Sequence, residues 1–141
     1  MGRDMLEIFY PDNEAPSAYG IDYKGLYGRG YRGIIFDIDN TLVPHGAPAD
    51  ARAVDFFAGL RKLGFQTVLL SNNKEPRVQP FGDSVGSRYL CNAGKPGRAG
   101  YERAMELMGT TPESTLFVGD QLFTDVWGAK RAGIRNILVK P

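Results

Sequence analysis

The sequence is poor in the features that would place it quickly in a class. It holds one cysteine, Cys91, among 141 residues, which excludes an internal disulfide framework and suits a reducing compartment. No stretch approaches the roughly 20 apolar residues of a membrane-spanning helix. The opening MGRDMLEIFYPDNE also lacks the apolar core of a secretory signal, so the expected location is the cytoplasm. Charge of either sign is not in excess: 17 Lys and Arg against 16 Asp and Glu leave a formal net charge of +1. No global field draws in nucleic acid or an anionic membrane, and no nucleic-acid partner is expected. Internal repeats and low-complexity tracts are absent.

What the sequence has in quantity is glycine, 18 residues, many of them punctuating periodic segments. The length suits one domain. Residues 1–21, with Pro11 and Pro16, read as an irregular leader, and residues 22–141 as the domain. Asp22 suits the cap of a short helix to about Arg29, with Gly30 as its stop. Residues 33–36 are a continuous apolar run, the pattern of a strand buried on both faces. Asp50 opens a helix in which Val54, Phe57, Leu60 and Leu63 recur at near-helical spacing and Gly64 is the stop. Further strands are expected at 65–70, 88–91, 116–118 and 134–139. Helices are expected at 98–108 and 124–131, and a helical segment at 74–85 that Pro80 kinks or shortens. Strands alternating with helices imply an α/β fold with a mainly parallel, five-stranded sheet.

Ligands of such sheets bind beyond the carboxyl ends of the strands, and the polar residues collect at those ends. Asp37 and Asp39 follow the first strand, Ser71 and Asn72 the second, Lys95 the third and Asp120 the fourth. Side chains two apart on a strand point the same way, so Asp37 and Asp39 can face one site while Ile38 turns to the core. Their repulsion calls for a cation, and the acids of VGDQLFTD supply further ligands. A hard, oxygen-preferring ion such as Mg²⁺ fits. Ser71 can donate to a phosphate oxygen, and Lys95 can neutralise its charge. Together these groups describe a phosphoryl site.

Four stretches resemble the motifs of the haloacid dehalogenase superfamily of phosphatases in order and spacing. They are Asp37-Ile38-Asp39-Asn40-Thr41 (DxDxT), Ser71, Lys95 in a Lys-Pro pair, and Gly119-Asp120 to Asp125 (GDxxxxD). The details FDIDNTLVP, LLSNN and VGDQLFTDVWGAKRAG are similar to YqeG-type phosphatases of subfamily IIIA. The resemblance implies a three-layer Rossmann-like fold and a phosphomonoester hydrolase working through an aspartyl-phosphate. In it Asp37 is the nucleophile and Asp39 the general acid and base. Mg²⁺ is held by Asp37, the Asp39 backbone carbonyl and Asp120, with Asp125 close by. Ser71 and Lys95 cradle the phosphoryl group, with Thr41 and Asn72 orienting.

The gaps of 32 positions from Asp39 to Ser71 and 24 from Ser71 to Lys95 cannot hold the lid domain that many family members carry. An uncapped site suits a large substrate or completion by a partner subunit, which leaves room for a homo-oligomer. The resemblance also reaches phosphatidylglycerophosphate phosphatases, so a lipid head-group phosphate stands beside small phosphometabolites as the expected substrate. Two other functions use the same residues: a phosphotransferase, or a binding scaffold without turnover. Some local patterns have plainer readings. Gly28 to Gly33 spells GxGxxG but precedes a strand where a dinucleotide fingerprint must follow one. Asp125 alone also reads as a helix-start charge interacting with the dipole. His45, the one histidine, reads as a surface loop residue.

Overall fold

The computed structural model describes residues 12–140. Six strands, β1 (Asn13–Ala15), β2 (Gly33–Phe36), β3 (Gln66–Leu70), β4 (Arg88–Leu90), β5 (Thr115–Gly119) and β6 (Arg135–Val139), form one sheet in the order β1-β6-β5-β2-β3-β4. Every pairing is parallel. Buried positions run unbroken through GIIF of β2 and TLFVG of β5, because helices cover both faces. Alternate side chains divide between two cores. Ile34, Phe36, Leu69, Leu116 and Val118 share one, while Ile35, Val68, Leu70 and Phe117 share the other.

The first core is closed by α1 (Tyr23–Gly28), α2 (Ala51–Leu63) and α3 (Glu75–Val85) through Tyr23, Phe57, Leu60, Val78, Phe81 and Val85. The second is closed by α4 (Arg98–Met108) and α5 (Trp127–Arg131) through Tyr101, Ala104, Met105, Met108 and Ala129. The result is the expected three-layer arrangement. Asp22 and Asp50 cap α1 and α2, accepting from the Gly25 and Ala53 N–H groups at 3.0 and 2.8 Å. Gly64 ends α2 at φ +110°, a left-handed stop. Two local expectations change. Val54 is 37% exposed: the inner stripe of α2 is Ala53, Phe57 and Leu60, and Val54 lies about 100° round the helix from Ala53. Pro80 does not shorten α3, which continues to Val85. Its absent N–H would have paired with the Pro76 carbonyl at the helix start, so the missing bond lies near an end.

The expected five strands are corrected to six. The leader read over residues 1–21 lies outside the described residues for 1–11, but Asn13–Ala15 pair with Ile137–Val139 as an edge strand. A three-residue strand between Pro11 and Pro16 carries no periodicity of its own, and prolines are tolerated at a sheet edge. Its anchor is non-local. Asn136 is fully buried, and its Oδ1 accepts from the Asp12 N–H at 3.0 Å. The Asn136 Nδ2 and backbone N–H donate to Asp12 Oδ2 at 3.0 and 3.1 Å.

Strand order reverses about β2, with β3 and β4 on one side and β5 and β6 on the other. This is where such sheets open a crevice, and the residues that follow β2, β3, β4 and β5 meet there. Asn136→Ala should cost about 1–3 kcal/mol by leaving the Asp12 groups without their buried partner; urea unfolding would measure it, and unchanged stability would mean that Asn136 does not anchor the edge.

Candidate active site

Asp37 prolongs β2, and its N–H donates to the Val118 carbonyl at 3.0 Å, so the chain leaves the sheet still fastened to β5. Carboxylate oxygens of Asp37, Asp120 and Asp125 lie within 4.8 Å of one another. Lys95 Nζ stands among them, donating to Asp37 Oδ1 at 3.0 Å and to Asp125 Oδ1 at 2.8 Å. Asn72 holds the lysine in place: its Oδ1 accepts from the Lys95 N–H at 2.8 Å and its Nδ2 donates to the Lys95 carbonyl at 3.2 Å. Asp125 lies in a π-helical turn, Leu122–Val126, ahead of α5. Its Oδ2 accepts from the Gln121 N–H at 3.1 Å, and Tyr101 of α4 steadies the turn by donating to the Thr124 carbonyl at 2.9 Å. A Cβ on Gly119 would fall 2.5 Å from Asp125 Oδ2, so the first residue of the Gly-Asp pair must be glycine for the carboxylate to approach.

Three acids at this range cannot all ionise freely. Burial, then hydrogen bonding and charge from Asp37, then the charge of Asp125 push the Asp120 carboxyl up to about 7. Burial and the Asp37 charge push Asp125 up to about 6 against the pull of Lys95. Burial alone would lower Lys95, but Asp125 and Asp37 more than offset it and hold the ammonium charged. One ammonium against three carboxylates leaves two negative charges. A divalent cation matches that remainder, and an all-oxygen donor set suits a hard ion such as Mg²⁺. Thr41, itself buried, donates to Asp120 Oδ1 at 3.4 Å.

Asp39 belongs to a different network. Its Oδ1 accepts from the Gly46 N–H and from Arg77 Nη2, both at 2.7 Å, and its Oδ2 from Asn73 Nδ2 at 2.8 Å. Burial works to raise its carboxyl, but Arg77, the Gly46 N–H and the His45 charge together hold it below the usual carboxylate range. Asn40, at φ +61°, turns the chain between the motif and Val43, whose carbonyl accepts the Asn40 N–H at 2.8 Å. Ser71 is buried, and its Oγ accepts from the Asn73 N–H at 3.0 Å.

The sequence-predicted residues thus divide into two groups. Asp37, Asp120 and Asp125 gather within 4.8 Å, Lys95 bonds to Asp37 and Asp125, and Thr41 and Asn72 support Asp120 and Lys95. The Asp39 side chain and Ser71 lie along the adjoining Asn73 and Arg77 network. Arg77, Asn73 and Gln121 were not anticipated. Arg77 carried a readable signal, because a cation in the first turn of a helix opposes the dipole and calls for a partner such as Asp39. Asn73 and Gln121 act through one amide and one backbone N–H, and nothing in their local sequence marks them.

A family model for haloacid dehalogenase-like hydrolases matches residues 48–133. The chain is 36% identical over 138 residues to the Bacillus subtilis protein named probable phosphatase YqeG, covering 97% of this chain and 80% of that one. It is 28% identical over 150 residues to the chloroplastic phosphatidylglycerophosphate phosphatase 1 of Chlamydomonas reinhardtii. That match covers 99% of this chain but 55% of the algal protein, so the chain spans about half of that relative's length. A Legionella pneumophila structure described as a subfamily III A hydrolase of the haloacid dehalogenase superfamily superposes with a TM-score of 0.60 at 17% identity, over 82% of this chain and 69% of that one.

The raised carboxyls of Asp120 and Asp125 have a pH signature. The folded protein keeps protons there that the unfolded chain has lost, so their contribution to stability falls as pH rises from about 4 toward 7. A cation in the cluster reverses this by favouring the ionised forms, and protons compete with it. Thermal stabilisation by added Mg²⁺ should therefore be larger at about pH 8 than at about pH 6, and Asp120→Asn should remove most of it. Equal shifts at both pH values in scanning fluorimetry would mean that the cluster is not where the ion binds.

Proposed function

The chain belongs to the haloacid dehalogenase-like hydrolases and is a phosphatase, and from that membership we propose that it hydrolyses phosphomonoesters with Mg²⁺ through an aspartyl-phosphate on Asp37. The observation that carries this reading is the cluster of Asp37, Asp120 and Asp125 around Lys95 at the strand ends. Asp37, Asp120 and the Asp39 backbone carbonyl would hold the ion, with Asp125 beside them. When bound, it supplies charge neutralisation to the transferring phosphoryl group.

Asp37 Oδ forms a bond to phosphorus as the bond from phosphorus to the leaving oxygen breaks. Asp39 delivers a proton to that oxygen, then takes one from the water that opens the aspartyl-phosphate and regenerates the Asp37 carboxylate. Lys95, already beside Asp37, offsets the charge spread over the phosphoryl oxygens, and the Ser71 hydroxyl would donate to one of them. Asn72 preserves this geometry through its two bonds to the Lys95 backbone. The pairing with Arg77 must loosen when Asp39 carries its proton, since a neutral carboxyl gives up the charge that Arg77 is bound to.

No helix among the described residues is long and apolar enough to cross a membrane. Between Asp39 and Ser71 the chain builds a loop, α2 and β3, and no lid domain stands over the site among the described residues. That openness, together with the similarity to a phosphatidylglycerophosphate phosphatase, supports a lipid head-group phosphate as the substrate of this subfamily IIIA-like chain. The purified protein should release phosphate from an aryl phosphate with Mg²⁺ and stop with EDTA. Asp37→Asn should abolish release, and Asp39→Asn should slow it about 10²–10⁴-fold; full activity in the Asp37 variant would remove the nucleophile assignment.

A further inference from the structure

Hydrolysis of an ester needs a place for its alcohol as well as its phosphate. Two grooves, of about 410 and 300 Å³, adjoin at Pro16 and Lys140, which line both. The first reaches Asp120, and the second reaches Asn40 and Thr41. They form one trough, leading from the acid cluster over the ends of β1 and β6 to the start of α2. Near Asp120 the wall is largely apolar, from Ala15, Pro16, Leu138 and Val139.

The charge of the trough changes along its length. Glu14 stands on the wall nearer Asp120, whereas the far portion carries Arg52 beside the shared Lys140. Both cations are exposed. Arg52 is held against the wall by stacking 3.8 Å above the Tyr19 ring, and the Tyr19 hydroxyl is itself fixed by donating to the Leu42 carbonyl at 2.6 Å. Arg52 also occupies the first turn of α2, where the dipole disfavours a cation. The comparable arginine of α3, Arg77, is balanced by Asp39. Among the described residues Arg52 and Lys140 have no ion-pair partner, which leaves two positive charges facing the end of an apolar channel that begins at the acid cluster.

We propose that this trough is the leaving-group subsite, and that Arg52 and Lys140 select phosphomonoesters whose alcohol carries a second anionic group. The carbon skeleton of the alcohol lies along Ala15, Pro16 and Leu138, and the second anion meets the two cations. This deepens the phosphatase reading and rests on it. The chemistry recognised is a second anion on the alcohol, set apart from the scissile phosphate by an apolar stretch, and no acyl chain is needed for it.

The test compares kcat/KM with Mg²⁺ for two soluble substrates. One is an aryl phosphate; the other is a glycerol with a phosphomonoester on one terminal oxygen and a methyl phosphodiester on the other. In the full chain, Arg52→Ala and Lys140→Ala should each lower the ratio in favour of the two-anion substrate by about tenfold, chiefly through KM. Arg52→Lys should retain most of the ratio, which separates lost charge from lost folding. An unchanged ratio in the alanine variants would overturn the subsite. The same head group presented as a lipid in phosphatidylcholine vesicles should show the same dependence; a dependence seen with vesicles alone would assign the cations to the membrane surface and overturn the proposal. If the unaltered protein hydrolyses neither substrate, the phosphatase reading itself fails, an outcome distinct from hydrolysis of both without discrimination.

Discussion

Three carboxylates within 4.8 Å of one another, with a single ammonium between two of them, are the constraint on which the rest of this structure depends. Such a cluster is electrostatically uphill, and it persists because each member is fastened from outside. Asp37 is fixed by the pairing of β2 with β5, Lys95 by both amide atoms of Asn72, and Asp125 by the Gln121 N–H and a turn resting on Tyr101. Even the absence of a side chain at Gly119 serves it, since the Asp125 carboxylate occupies that space. Much of the second core, where Tyr101 packs on Phe117 at 5.3 Å between ring centroids, doubles as support for the cluster.

The two acids of the first motif show how environment separates chemically identical groups. Asp37 and Asp39 are two residues apart, yet Asp37 faces Lys95 and two other carboxylates, while Asp39 faces Arg77, Asn73 and a backbone N–H. The loop turned by Asn40 brings Gly46 back to Asp39, and α3 brings Arg77. The proposed division of labour between the two acids draws on this difference: Asp37 stands beside Lys95 in the acid cluster, whereas Asp39 sits against a cation and two N–H donors outside it.

Much of the fold was legible because it is local. The strands β2, β3 and β5 announce themselves as continuous apolar runs, and α1 and α2 by their Asp caps and glycine stops. The four motifs fell at strand ends, where a parallel sheet places its ligands, so Asp37, Lys95, Asp120 and Asp125 could be named together. The edge strand β1 was not legible. Its three residues owe their conformation to Asn136, more than 120 positions away. The inner stripe of α2 was legible at Phe57 and Leu60 but not at its first position, since Ala53 and Val54 are both apolar and only the sheet decides which of them faces inward.

The sequence by itself determined the α/β architecture, the residues of the acid cluster and the family, because these follow from short-range periodicity and from motifs whose order survives along the chain. The tertiary structure alone decided how those residues divide between two networks and that Arg77 answers Asp39. It alone brought Arg52 and Lys140, 88 positions apart, to one trough beside the acids. Pairing, charge balance and the shape of a groove are sums over neighbours in space, and no window along the chain contains those neighbours.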